Sequence, residues 1–213
     1  MTKMKASRES GYTLVEALVV MMIFGTIFAI IMGIIIQVSY SSADNMARTS
    51  QVQNAELGLM QIDRQVRSGN VILDPANERF VDSGVDPGYS LRVFTQTNGV
   101  HQCVQWRVIF NEERRGVLEY RSWDPDWTAL GTEATDWAAV ARDLVSDAAG
   151  TEPFSRTKLD PTEENTETSS VDVKIFVQAE RTKSAPTAVG TTLTGRNTIY
   201  GYAIDRCDDV PVP

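Results

Sequence analysis

Few residues in this sequence could carry chemistry. Among 213 residues there is one histidine, His101, and there are two cysteines, Cys103 and Cys207. A Ser-His-Asp triad would have to use that histidine, and a zinc centre built from Cys and His would need four ligands from three. Asp160, Glu163, Glu164 and Glu167 form an acidic patch. It lacks the alternating oxygen positions and bending glycine of an EF-hand, so it reads as a solvated loop. No phosphate-binding G-x-x-x-x-G-K-[ST] run occurs. The residues therefore give no metal site, no cofactor and no catalytic set. Net charge is −8, from 28 acids and 20 bases, which argues against a nucleic-acid partner. The carboxylate of Glu16 stands out by position, because it precedes a long apolar run.

Residues 17–36 read ALVVMMIFGTIFAIIMGIII, in which only Thr26 is polar, and no charge occurs between Glu16 and Asp44. Twenty helical residues span ~30 Å, one hydrocarbon core. The preceding residues hold Lys3, Lys5 and Arg8 against Glu9, which keeps that end cytoplasmic and the bulk of the chain outside. A secretory signal is the competing reading. Its apolar core is usually ~7–15 residues long, and Ser39-Tyr40-Ser41 makes only a passable small-x-small cleavage site. A plain anchor explains the length but leaves Glu16 without a reason, since a carboxylate at the edge of lipid needs a partner or must snorkel.

The run Gly11-Tyr12-Thr13-Leu14-Val15-Glu16 resembles the cleavage and methylation site of type IV prepilins and type II secretion pseudopilins. That family has a basic leader ending in Gly, an aromatic residue, Thr or Ser, two aliphatics, Glu and then an apolar run. Tyr12 stands where Phe is commoner. The resemblance implies a leader over residues 1–11, cut between Gly11 and Tyr12 by a prepilin peptidase, with N-methylation of Tyr12. It implies that Glu16 pairs with the amine of a neighbouring subunit, and a buried carboxylate does need such a counter-charge. Looser patterns are similar to minor pilins of the PilW type and to minor pseudopilin J: residues 60–70, the Cys-Val-Gln-Trp run at 103–106, and Arg196-Asn197-Thr198. Some pseudopilins bind calcium, but the spacing of residues 160–167 matches no EF-hand.

The helix should continue past the apolar run. No proline precedes Pro75, and Val52, Ala55, Leu59, Ile62 and Val66 step by three and four into one stripe. Arg64 and Arg67 suit the final turn, and Gly69-Asn70 supplies the stop. The expected divisions are a filament-core or transmembrane helix over 12–36, an amphipathic continuation over 37–69 and an extracytoplasmic β-rich domain over 70–213. Gly25, Ala29 and Gly33 fall four apart, the spacing of a close helix-packing face; ordinary glycine content of a membrane helix explains them equally well.

Beyond residue 70 the period changes from 3.6 to 2. Alternation marks strands at 89–93, 103–110, 117–123, 171–178 and 200–205, with Asn111 to Gly116 as a hairpin loop. Trp137, Val140, Ala141, Leu144 and Val145 predict a short helix capped by Asp136. Residues 146–170 and 182–195 read as loops, Asp124 to Trp127 as a turn, and His101 as a surface residue at a strand start. The fold class is α+β: a long N-terminal helix packed on an antiparallel sheet, which is the pilin arrangement.

An even cysteine count outside the membrane predicts a Cys103–Cys207 disulfide, with two separate thiols as the alternative. By parity both side chains point away from the core faces, so the bond should lie across the outer side of neighbouring strands. The leading functional expectation is a structural protein and not an enzyme: a minor pilin or pseudopilin that initiates or caps a type IV pilus or secretion pseudopilus. Its partners would be other pilins, the prepilin peptidase and the cytoplasmic membrane. The alternative is a membrane-anchored extracytoplasmic enzyme or ligand-binding domain, which would need His101 among convergent carboxylates.

Overall fold

The computed structural model describes residues 13–97, 99–147, 149–158, 169–178, 185–195, 202 and 206–211. Gly11, Tyr12, the acidic residues 160–167, Arg196-Asn197-Thr198 and most of the expected strand at 200–205 lie outside them. Helix α1 spans Leu14–Arg67, within the 12–69 expected from the sequence, and the chain divides into two units after Met46. The helix ends where Ser68 folds its hydroxyl back onto the carbonyl of Arg64 at 2.8 Å, with Arg64 and Arg67 facing the dipole's negative end.

In the second unit the helix lays its stripe on a sheet. Ala55, Ile62 and Val66 are fully buried and Leu59 nearly so, and Leu59, Ile62 and Val66 each contribute up to about 1.5–3 kcal/mol relative to an exposed side chain. Gly58 permits the close approach: a Cβ there would stand 3.0 Å from Leu118 Cδ2 and 3.5 Å from Ala141 Cβ.

The sheet is antiparallel and contains β1 (Gly69–Ile72), β2 (Ser90–Thr97), β3 (Val100–Phe110), β4 (Arg115–Trp123), β5 (Ala138–Val145), β6 (Phe154–Lys158), β7 (Ser169–Val177) and β8 (Thr187–Thr194). Strands run in the order β1-β2-β3-β4-β5-β7-β6, and β8 also pairs with β7. Two short helices, α2 (Phe80–Ser83) and α3 (Trp127–Leu130), lie in the connections. The β3–β4 hairpin closes at Phe110 opposite Gly116, where Asn111 Oδ1 accepts from the Arg115 amide at 2.8 Å. Asp124 to Trp127 is a turn, with the Trp127 amide donating to the Asp124 carbonyl at 3.0 Å. Between β5 and β7 the register holds one pair among the described residues, Leu144 opposite Val177.

Period 2 gives the sheet two faces. Leu91, Val93, Val104, Trp106, Val108 and Leu118 meet the helix stripe, and Phe154, Val171, Val173, Ile175 and Val177 extend that core. The opposite face carries a second apolar cluster of Val71, Phe94, Cys103, Trp123, Cys207 and Val210.

Three expectations are corrected. Residues 138–145 form strand β5, not a helix. Asp143 takes a left-handed φ of 61°, and the irregular β4–β5 pairing lets Ala141, Leu144 and Val145 all be buried. That spacing of three and four imitates a helical face. The regions 146–170 and 182–195 each contain a strand, β6 and β8. In β8, Thr187, Val189, Thr191 and Leu193 turn to the less exposed side, and threonine hides this alternation from a hydrophobicity count. Finally, Cys103 does lie on the face opposite Trp106, but that face is not outer: Cys103 is fully buried.

Candidate functional site

The first turn of α1 organises the carboxylate of Glu16. Thr13 donates to Glu16 Oε2 from its backbone amide at 3.0 Å and from its hydroxyl at 3.1 Å. The Glu16 amide returns a bond to Thr13 Oγ1 at 3.3 Å. This is a capping box, in which the first helical amides find acceptors and the carboxylate sits at the positive end of the dipole. The sequence carries its signature as Thr-x-x-Glu, a signal independent of the apolar run. Glu16 is thus held by its own helix, with Oε1 free of any described partner.

Behind Glu16 the apolar residues lie open along the helix, with Phe24 and Phe28 stacked on one another at 6.2 Å. Leu14 is 82% exposed, and every residue from Thr13 to Met46 is exposed. The window of highest hydropathy in α1 averages 2.9, making this the one helix among the described residues long and apolar enough to cross a membrane. Thr26 and Ser39 return their hydroxyls to the carbonyls of Ile23 and Ile35, both at 2.8 Å, so neither presents an unpaired donor to an apolar surrounding. A Cβ on Gly25 or Gly33 would meet nothing within 4 Å, leaving the face that also carries Ala29 open along the helix.

The second unit places the remaining candidates. Cys103 and Cys207, 104 positions apart in sequence, form a disulfide with Cα atoms 5.6 Å apart. His101, the second residue of β3, is half-buried in a ring cluster 5.2 Å from Phe94 and 5.6 Å from Tyr202, so it sits among aromatic rings and not at the exposed position expected of it. An open groove of about 510 Å³ lies at the β3–β4 hairpin, lined by residues that include Ile109, Val117, Arg115, Arg142 and Asp143. No group of three or more His, Cys, Asp or Glu side chains suited to a metal occurs among the described residues.

Alternation alone does not reveal a buried polar layer on the second sheet face, because polar residues at alternate positions read as solvent-facing. Arg92, Gln105 and Arg121 stand side by side on β2, β3 and β4, and all three are buried. Glu78 Oε1 accepts from Arg92 at 2.5 Å and from Gln105 at 2.7 Å, and Gln105 Oε1 accepts from Arg121 at 2.9 Å. Arg107 and Arg121 place their guanidinium carbons 3.9 and 4.4 Å from the ring centre of Trp137. Burial, with the neighbouring charges of Arg107 and Arg92, pulls Arg121 down to about 10. Burial pushes the Glu78 carboxyl up against the opposing pull of Arg92. The chain thus resolves the expense of these charges by pairing and hydrogen bonding.

The comparison with protein families agrees with the first of these two regions. Neither a curated protein nor a solved structure matches the chain. Residues 6–36 match the prokaryotic N-terminal methylation motif, so this N-terminus carries the signal of type IV pilin-like processed subunits on a single helix able to anchor it in a membrane.

Proposed function

We propose that the chain is a minor pilin or pseudopilin, a structural subunit made as a membrane-anchored precursor. Residues 1–11 are the leader, cut between Gly11 and Tyr12, after which the amine of Tyr12 is methylated. Residues 12–36 cross the cytoplasmic membrane once, with the leader inside, and then pack with other pilins in a filament. Residues 37–69 continue the helix, and residues 70–213 form the extracytoplasmic domain. The Cys103–Cys207 disulfide suits that oxidising side. The subunit's place is at the initiating or capping end of a type IV pilus or secretion pseudopilus.

The observation that supports this reading most is the placement of Glu16. It lies within the methylation motif at residues 6–36, in the first turn of an exposed apolar helix. A carboxylate about to be surrounded by lipid or apolar helices requires a cation, and the amine released at Tyr12 is the chemistry that fits. The faces at Gly25, Ala29 and Gly33 would then let neighbouring helices approach.

Mass spectrometry of the chain produced with a prepilin peptidase tests the proposal. The expected mature protein begins at Tyr12 and carries one added methyl group, and a bulky residue at position 11 keeps the leader attached. A mature chain beginning near Ser42 would refute it in favour of an ordinary secretory signal.

A further inference from the structure

Residues 206–211 form no strand, yet they close over a buried arginine. Arg92 is 3% exposed. Its Nη1 donates to the carbonyls of Cys207 and Asp208 at 2.8 and 2.7 Å, while Nη2 donates to Glu78 Oε1 at 2.5 Å and to Asp82 Oδ2 at 3.4 Å. Its Nε has no acceptor among the described residues. Both acceptors of Nη1 therefore come from this segment, and a buried guanidinium that loses them is strongly penalised. Arg79, ion-paired with Asp82 at 2.6 Å, also donates to the Asp208 carbonyl at 3.5 Å. The same short segment thus touches the charge cluster that holds α2 on the sheet.

What holds the segment is a balance. Val210 and Pro211 are buried, Val210 in the cluster with Val71, Phe94 and Trp123. Against this, Cys207 sits at a left-handed φ of 67°, a conformation disfavoured for a residue with a side chain. Ordering six irregular residues opposes folding by an amount similar to what two small apolar side chains and the arginine bonds contribute. The covalent tie to Cys103, fully buried on β3, decides between the two.

We propose that residues 206–211 are a redox-closed strap: the Cys103–Cys207 bond sets whether they cover Arg92 and the second apolar cluster, independently of the helix-facing core. Closure is a thiol–disulfide exchange. The thiols of Cys103 and Cys207 each give up a proton, their sulfurs join, and a disulfide-bearing oxidant is reduced to two thiols. In the reduced state Arg92 loses both acceptors of Nη1, and Arg79, the residue that precedes α2 and pairs with its Asp82, loses its bond to the Asp208 carbonyl. The strap goes beyond the filament reading and holds whether or not that reading does.

Hydrogen exchange read by mass spectrometry on the full chain in detergent micelles tests this, with the bond opened by a phosphine reductant and closed by oxidised glutathione. The expected result on reduction is exchange roughly tenfold faster or more at 206–211 and in α2, the equivalent of about one hydrogen bond to a charged group lost. Exchange in β7 and β8, which requires opening of the core, stays slower than at 206–211 and in α2 at every time point, and oxidised glutathione restores protection. A chain stopped after Arg206 should show the same loss in α2 with or without reductant. The strap is overturned if reduction leaves 206–211 as protected as before, if protection falls uniformly across β2 to β8, or if the shortened chain keeps the full chain's protection in α2.

Discussion

The seat of α1 on the sheet can be tested at Gly58. Replacing it with alanine has two opposed effects. Alanine favours the helix over glycine by about 1 kcal/mol. Its Cβ would stand 3.0 Å from Leu118 Cδ2, with Ala141 Cβ at 3.5 Å and Val140 Cγ1 at 3.7 Å. The tight neighbour is the far end of a leucine side chain, which can retreat by a few tenths of an ångström, so the two effects nearly cancel. Gly58→Ala should therefore stay within about 1 kcal/mol of the parent. Valine adds two methyl groups beyond that Cβ, against a leucine that is itself fully buried. Gly58→Val should destabilise by about 1–3 kcal/mol, a loss of several degrees in Tm for a unit of this size. Urea unfolding of the full chain in micelles, followed by tryptophan fluorescence, reads both. Leu118→Ala in the valine background should restore part of the loss, a coupling expected of residues in contact. Gly25→Val, with nothing within 4 Å of the added Cβ, should leave the sheet's unfolding unchanged. Equal stability of the valine and alanine variants at position 58 would refute the seating.

Three further outcomes are expected. Glu16→Ala should leave melting of the sheet unit unaltered while lowering recovery in sheared filaments; wild-type recovery would contradict its pairing role. Cys207→Ser should lower the unfolding midpoint, since a bond spanning 104 residues contributes up to about 4–5 kcal/mol in the chain-entropy model, and an unchanged midpoint in calorimetry would count against it. Glu78 should give a pH signature. Burial raises its carboxyl above the ordinary value near 4.5, so the folded state holds the proton more tightly. That contribution is full below the ordinary value and fades as pH rises through the raised one. Glu78→Gln should remove this slope from stability measured against pH, and an unaltered slope would show that the carboxyl is not responsible.

Legibility in the sequence followed physical periodicity. Ala55, Leu59, Ile62 and Val66 could be read because a helix repeats its buried face every three or four residues, and β2, β3, β4 and β7 because their apolar residues alternate. The strand β5 was illegible because the left-handed Asp143 shifts its phase, and a bulged strand with buried residues three and four apart looks helical. Strand β8 was illegible because threonine occupies its inward positions. At the N-terminus, charge, small residue, carboxylate and apolar run are consecutive, so no tertiary information was needed to see them. The Arg92–Glu78–Gln105–Arg121 layer is the opposite case: its members are 43 positions apart at the extremes, and only the strand register brings them together.

With one β5–β7 register pair among the described residues, the sheet is mechanically two plates. Strands β2, β3 and β4 are joined by continuous registers, as are β6, β7 and β8, while β1 on β2 and β5 on β4 pair over several residues with bulges. Among the described residues the plates are joined by the Leu144–Val177 pair, a bond from the Gln178 amide to the Asp143 carbonyl at 3.2 Å, one from Arg115 to the Gln178 carbonyl at 2.6 Å and, away from the β5–β7 seam, one from the Phe154 amide of β6 to the Gly88 carbonyl at 2.9 Å. A load that shears β7 past β5 meets few bonds there, whereas a load along the β3–β4 hairpin is shared over eight residue pairs. The outer plate is therefore the part that yields first, much as a tile slips along its grout line, while the plate beneath the helix stripe keeps its register.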